Sequence, residues 1–413
     1  HVNMTVHENI LSVLAQEYPE STFPFARGYR IKQDIPDEDY EREAISVCKA
    51  SDKIVLFLGL PGLIESEGYD RKDLRLPSNQ TALLKKLTRL GKPIAVVLIA
   101  GAPVEMPWVD DVDALLALYT AGQGAAKACV HLLFGKANPC GKLAESYPLS
   151  LSNTSCSLSY PQKDVATYEE GVFVGYRYYD KKEMPVLFPF GYGLSYTTWR
   201  YENLRLSKKE LSDLDTLEVK VDIINTGKVA GKEIVELYVR DVESGVPRPV
   251  KELKGFAKVE CDAGERKTVC FTLNKRSFAY YEPRISDWYA ESGEYEILVG
   301  TSSRNICVKE TVKLTSTQTI ERTYDRFTTM AEIMACPEAS AVMQRAVGKM
   351  KMPQPDEKEK LRLLDEEDDT DVAMDYATMG QEMPLCKVAD MTEGAWTEEM
   401  DEEILAALNR QKK

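Results

Sequence analysis

Apolar residues gather in two unbroken runs, Lys53–Leu60 (KIVLFLGL) and Pro93–Ala100 (PIAVVLIA). Continuous runs of this length are what strands buried on both faces require. Around them the pattern turns helical. Val6–Tyr18 has helical spacing, and Asp37–Ser51 reads as a helix opened by Pro36 and acidic residues. A further helix runs from Ser78, read as its cap, to Leu90, where Gly91 ends it. Ala121–Phe134 is another, stopped by Gly135. Ala26–Ile31 reads as a short strand and Val112–Tyr119 as a third buried one. Strands and helices in alternation predict a mostly parallel sheet sandwiched by helices. In such sheets function sits beyond the C-terminal ends of the strands.

From Lys136 to Tyr196 helical spacing disappears, prolines recur and aromatics are dense. A long irregular stretch inside a compact protein reads as functional, or as a wrap between domains. From Thr198 to Thr315 the period becomes two. LEVKVDIINTG, EIVELYVRD, KTVCFTLN, SDWYAESG, YEILVGTSS and ICVKETVKL alternate apolar and polar residues between turn residues. This predicts an all-β, immunoglobulin-like sandwich of about seven strands. Beyond Ser316 the signal weakens. Pro353–Asp371 is a charged, solvated linker, and Glu398–Asn409 a short amphipathic helix. The expected division is an α/β domain at 1–197, a β-sandwich at 198–318 and a partly ordered tail at 319–413.

Composition narrows the function. The net charge of -14 disfavours phosphate, so nucleic acid and anionic membrane surfaces are excluded as partners. No apolar run reaches the roughly 18 residues of a membrane span. His1–Pro19 lacks the basic start and apolar core of a secretory signal. Nine cysteines, none in a C-x-x-C pair, read as reduced and mostly buried, in a cytoplasmic protein. Three histidines leave little room for a His-based triad or metal site, and His131 lies in an apolar helix. Gly122-Gln123-Gly124 opens that helix without the rest of a phosphate-binding signature.

The chemistry concentrates directly after the first apolar run, in Glu65-Ser66-Glu67-Gly68-Tyr69-Asp70-Arg71. If the segment is extended, Glu65 and Glu67 point to the same side. Gly68 permits a sharp turn and the close approach of a ligand. Neighbouring carboxylates disfavour each other's ionisation, so one is suited to hold a proton and serve as a general acid. Arg71 is placed to hold the other carboxylate, or Asp70.

The stretch E-S-E-G-Y-D-R, followed by L-R-L-P-x-x-Q, resembles the acid/base loop of glycoside hydrolase family three. So do Pro139–Leu143 with Tyr147-Pro148, Tyr168–Gly171, Gly175–Asp180 and Phe188–Thr197. Asn225–Gly227, Leu237–Val239 and Glu252–Phe256 are similar to that family's fibronectin type III-like domain. The resemblance spans about residues 25 to 315, and tails like 316–413 also occur in the family. It implies a retaining β-glucosidase acting on terminal β-D-glucosyl residues of a β-glucoside or oligosaccharide, with Glu67 as general acid/base and Glu65 as the fallback. Glu65, Tyr69, Asp70 and Arg71 then bind substrate or support the loop. A β-xylosidase and a non-catalytic carbohydrate-binding or scaffold subunit are the alternatives. No cofactor or metal is implied. The family's nucleophilic aspartate lies in a (β/α)8 barrel, for which this chain has no room, since a barrel needs about 250 residues. That barrel is expected in cis or trans, and the isolated chain is expected to be inactive. The resemblance leaves the oligomeric state open.

Overall fold

The two apolar runs form neighbouring strands of one parallel sheet. A computed structural model of the chain describes residues 5, 8–68, 70–162, 164–320, 323–349, 381–391 and 396–410. It divides into two units, His1–Thr317 and Gln318–Lys413.

The first unit opens with helices α1 (Ile10–Glu17) and α2 (Glu38–Ala50). Strand β1 (Ile54–Gly59), helix α3 (Ser78–Thr88), strands β2 (Ile94–Ile99) and β3 (Ala114–Ala117), and helix α4 (Ala125–Leu133) follow. The sheet order is β1-β2-β3, all parallel, with Leu58 opposite Leu98 and Leu98 opposite Ala117. Leu83, Leu84 and Leu87 of α3 join Ile54, Leu56, Leu58, Val96 and Leu98 in one core. This is the expected α/β class.

Several local expectations change. β2 is buried on both faces, with Val96, Val97 and Leu98 inside, but β1 and β3 are the sheet edges: β1 leaves Val55 exposed, and β3, expected to be buried, has no buried residue. Ala26–Ile31 forms no strand. Its Tyr29 instead sends a hydroxyl to the Phe57 carbonyl at 2.8 Å, and burial pushes that phenol up to about 12. Ser78 is the first helical residue of α3, not its cap. The Asp34 carboxylate accepts the free backbone N–H groups of Ser78 (2.9 Å) and Asn79 (2.8 Å). A capping oxygen can thus come from a residue far away in sequence as well as from a local Ser or Asp. Two cysteines are fully buried, Cys129 and Cys261, while Cys270 and Cys307 are exposed, and all nine are free.

The irregular stretch carries strand β4 (Tyr147–Pro148), helix α5 (Tyr176–Lys181) and strand β5 (Val186–Phe188), β4 pairing with β5. It wraps the α/β part onto a sandwich of β6 (Trp199–Leu206), β7 (Glu210–Ser212), β8 (Leu217–Asn225), β9 (Gly231–Asp241), β10 (Glu252–Cys261), β11 (Arg266–Leu273), β12 (Tyr280–Glu282), β13 (Asp287–Tyr289), β14 (Gly293–Ser302) and β15 (Asn305–Thr315). One sheet runs β10-β9-β14-β15-β7 and the other β11-β8-β6. Alternate residues of both fill one core that includes Val219, Val221, Leu237, Tyr295 and Ile297, as face-to-face packing of half-buried strands requires. Only Asp287–Tyr289 of the SDWYAESG segment is strand, and it pairs with β12 in a small hairpin.

In the second unit, Met330–Ala335, Pro337–Lys349 and Glu398–Arg410 are helical. Ile333, Ala339, Leu385, Trp396, Ile404 and Leu408 share a core there. The Pro353–Asp371 linker lies outside the described residues.

Candidate active site

The loop after β1 is stitched to the segment after β2. Leu60 N–H bonds the Ile99 carbonyl at 3.0 Å, and the Pro61 carbonyl accepts from Ile64 (2.8 Å) and Glu65 (3.1 Å). The chain therefore turns at Gly62–Ile64, and again at Glu67-Gly68. It is not the extended segment that would set Glu65 and Glu67 side by side. Glu65 is half-buried, and its Oε2 accepts the Gly101 N–H at 2.7 Å. Glu67 is exposed, on a turn where Gly68 has φ 87° and open space where a Cβ would be. A left-handed residue is cheap only for glycine, so this residue sets how Glu67 is presented. Tyr69 lies outside the described residues.

Arg71 does not pair closely with either expected carboxylate. Its Nη1 donates to the Pro103 carbonyl at 3.0 Å, and Glu105 N–H bonds the Leu74 carbonyl at 2.7 Å. Burial lowers the Arg71 pKa, and Glu65, Asp73 and Glu145 partly offset it by their charge. Asp70 meets the phenol of Tyr160, and that contact raises the phenol's pKa.

Sequence reasoning missed several neighbours. Glu145 is half-buried. Burial pushes its carboxyl up, Arg71 pulls it down and Glu65 adds to the rise. Beside it, the phenols of Tyr119 and Tyr147 face each other, both raised chiefly by burial. Tyr119 sits just past β3 with φ 51°, and strain of this kind concentrates at functional sites. The available signal was position: Glu145 lies between two family-like motifs, and Tyr119 follows a strand end.

Two shallow concavities, about 340 Å³ along α2 and about 450 Å³ on the sandwich, lie away from this loop. Among the described residues no group of three or more His, Cys, Asp or Glu side chains is arranged for a metal ion. None of the described helices is long and apolar enough to cross a membrane.

A parallel α/β domain presenting acidic residues beyond its strand ends, fused to a β-sandwich, is the class of protein defined so far. Residues 2–196 match the model of the glycosyl hydrolase family 3 C-terminal domain, and residues 233–303 match that of a fibronectin type III-like domain. The chain belongs to glycoside hydrolase family 3 and carries that family's C-terminal domain and fibronectin type III-like domain.

Thermostable beta-glucosidase B of Acetivibrio thermocellus is 44% identical over 93% of this chain and 50% of its own length. An exo-alpha-(1->6)-L-arabinopyranosidase of Bifidobacterium longum is 38% identical over 74% of this chain and 40% of its own. The crystal structure of a Bifidobacterium adolescentis GH3 beta-glucosidase superposes with a TM-score of 0.76 at 36% identity, over 83% of this chain and 50% of that one. The chain thus spans half or less of the length of these relatives.

Proposed function

We propose that this chain supplies the proton-donor half of a retaining β-glucosidase. The observation that carries the reading is Glu67, held exposed on the Gly68 turn beyond the C-terminal end of a parallel strand. The β-glucosidases among the relatives favour a glucoside as substrate.

In this mechanism an aspartate of a barrel domain attacks the anomeric carbon. Glu67 protonates the glycosidic oxygen, the aglycone leaves, and a glycosyl ester remains. Glu67, now a carboxylate, takes a proton from water as the water attacks that ester. The two carboxyl groups must lie about 5–5.5 Å apart. The contacts Glu65–Gly101 and Arg71–Pro103 keep the loop in place while its exposed end reaches the partner domain. Without a nucleophile of its own the isolated chain is inactive. Nine free cysteines favour a reducing, cytoplasmic setting.

A second reading has one specific support. The arabinopyranosidase relatives point to another terminal pyranoside accepted by the same machinery. A panel of aryl β-glucoside, β-xyloside and α-L-arabinopyranoside, assayed on the full-length enzyme, separates them. The β-glucoside is expected to give the highest kcat/KM. Proton NMR of the first product should show the β-anomer before mutarotation. Initial appearance of the α-anomer from the glucoside excludes the retaining mechanism. A preference for arabinopyranoside or xyloside replaces the substrate assignment and leaves the mechanism standing.

A further inference from the structure

The concavity of about 450 Å³ on the sandwich is lined by β9, β14, β15 and the two residues that lead into β10. Alternation along the strands accounts for its lining. Val239, Ile297 and Val299 turn into the sandwich core, so their neighbours Arg240, Glu296 and Leu298 face the other way. Arg240 stands opposite Glu296 in the register, and Lys309 opposite Leu298. Val250, Leu298 and Ile306 give the concavity an aliphatic part. Its charged lining is Arg240, Lys251, Lys309 and Glu296, three cations to one carboxylate. Along the whole chain the balance is the reverse, with 52 basic and 66 acidic residues.

The carboxylates at this place are covered, and two of the cations are not. Glu296 takes Lys309 at 2.9 Å and Arg240 at 3.2 Å. Asp180 of α5 takes Lys251 at 2.6 Å and Arg304 at 3.0 Å. Four cations thus share two carboxylates. The side chains of Asp180 and Glu296 keep 7% and 15% of their surface, whereas those of Arg240 and Lys309 keep 43% and 66%. The accessible part of the cluster is therefore cationic. Arg240 reaches Glu296 through Nη1, and a guanidinium carries five donors. A concavity of this size, with an aliphatic part and a few convergent charged groups, has the make-up of a small-molecule site.

We infer that this concavity binds a small organic anion, a carboxylate carried on an apolar body. Arg240 and Lys309 hold the carboxylate, and Val250, Leu298 and Ile306 pack against the body. Charge selects an anion, because four cations with two carboxylates gain from another negative group, and charge-assisted hydrogen bonds are the strong ones. The aliphatic part selects a body beyond a bare ion, since covering it removes apolar area from water. The inference does not depend on the role of Glu67.

A thiol in the right place tests this without reading activity. Cys307 lines the concavity and is exposed, while Cys270, exposed on β11 of the other sheet, serves as the internal reference. Alkylation of both by iodoacetamide, an uncharged reagent, is followed by peptide mass spectrometry on this chain. Benzoate is the probe. It is expected to slow Cys307 severalfold and saturably, and to leave Cys270 unchanged. Benzamide has the body without the charge, and inorganic phosphate the charge without the body, so each should protect weakly. Added salt should weaken the protection by benzoate. Lys309→Gln should raise the half-protecting benzoate concentration by about tenfold, the loss of one charged contact. Lys220→Gln, on β8 of the other sheet, removes the same net charge and should leave it unchanged. Equal protection by benzamide or by phosphate overturns the proposal, as does a Cys307 rate that benzoate does not alter. The same pattern is expected in the full-length enzyme. Its disappearance there also overturns the proposal, because the concavity is then covered.

Discussion

Glu67→Gln in the full-length enzyme should lower kcat by about 10²–10⁴-fold on glycosides with poor leaving groups, the range general acid catalysis supplies. The loss in kcat/KM, which reports the first step, should shrink sharply on aryl glycosides with acidic phenols. Such a phenolate departs without a proton, so the amide costs little in the first step. Hydrolysis of the glycosyl ester still lacks its base, so that step becomes rate-limiting and KM falls along with kcat. Glutamine keeps the size of the side chain, and Glu67 is exposed, so folding should be unaffected. Steady-state kinetics over a series of leaving groups checks this. A uniform loss of kcat/KM across the series would mean that Glu67 does not deliver the proton.

Lys142→Met should destabilise the first unit by about 3–5 kcal/mol, the usual cost of removing one partner of a buried ion pair. Lys142 belongs to the Pro139–Leu143 motif, and its ammonium lies 3.0 Å from Glu233 and 3.0 Å from the Gly193 carbonyl. Lys142 and Glu233 are both nearly inaccessible, and the Tyr201 hydroxyl bonds Glu233 at 3.2 Å. Next to this pair is the buried carboxyl of Glu236, which accepts the Tyr238 hydroxyl at 2.5 Å. Gly191 comes so near Glu236 that a Cβ there would lie 2.4 Å from its oxygens. The wrapping segment and the sandwich thus share one ammonium between two carboxyl groups.

The pH dependence of stability follows from that shortage. Burial raises Glu236 from 4.5 to about 7, the Tyr238 bond and Lys142 offset part of the rise, and Glu233 adds to it. Glu233 is raised as well, by burial, with Lys142 pulling it back. A carboxyl whose folded pKa exceeds its unfolded one stabilises fully below the unfolded value and loses that contribution as pH climbs through the folded value. The contribution of Glu236 should therefore fade between about pH 4.5 and 7, and Glu236→Gln should flatten the slope there. The Lys142→Met loss should be larger at pH 8 than at pH 5. Urea unfolding of the chain at both values measures both effects. An equal loss at the two pH values would place the destabilisation in packing instead of charge.

The physics of burial decides which parts of this molecule could be read in advance. KIVLFLGL and PIAVVLIA announce strands because their side chains serve a core, although only β2 is enclosed on both faces. The sandwich strands alternate cleanly, since one face of each is inside. Glu252–Cys261 was visible only as a short motif, because its first residues are half-buried on both sides and interrupt the period. The Asp34 cap, reaching α3 across the fold, leaves no local trace. At the site, the E-S-E-G-Y-D-R loop and its turn at Gly68 were legible. The separate surroundings of Glu65 and Glu67 were not, because a contact with Gly101 sets them. Glu145 and Tyr119 were missed for the same reason: only tertiary packing brings them to Arg71 and Tyr147.

Identifying the product formed in azide tests the role of Glu67 most directly. Azide needs no base to attack the glycosyl ester, so an enzyme lacking only its acid/base carboxylate releases a glycosyl azide of retained configuration. Glu67→Gln acting on an activated aryl β-glucoside should yield β-glucosyl azide by NMR, with turnover rising with azide concentration, while Glu65→Gln should yield none. β-Glucosyl azide from Glu65→Gln, with Glu67→Gln hydrolysing at the wild-type rate, would contradict the assignment.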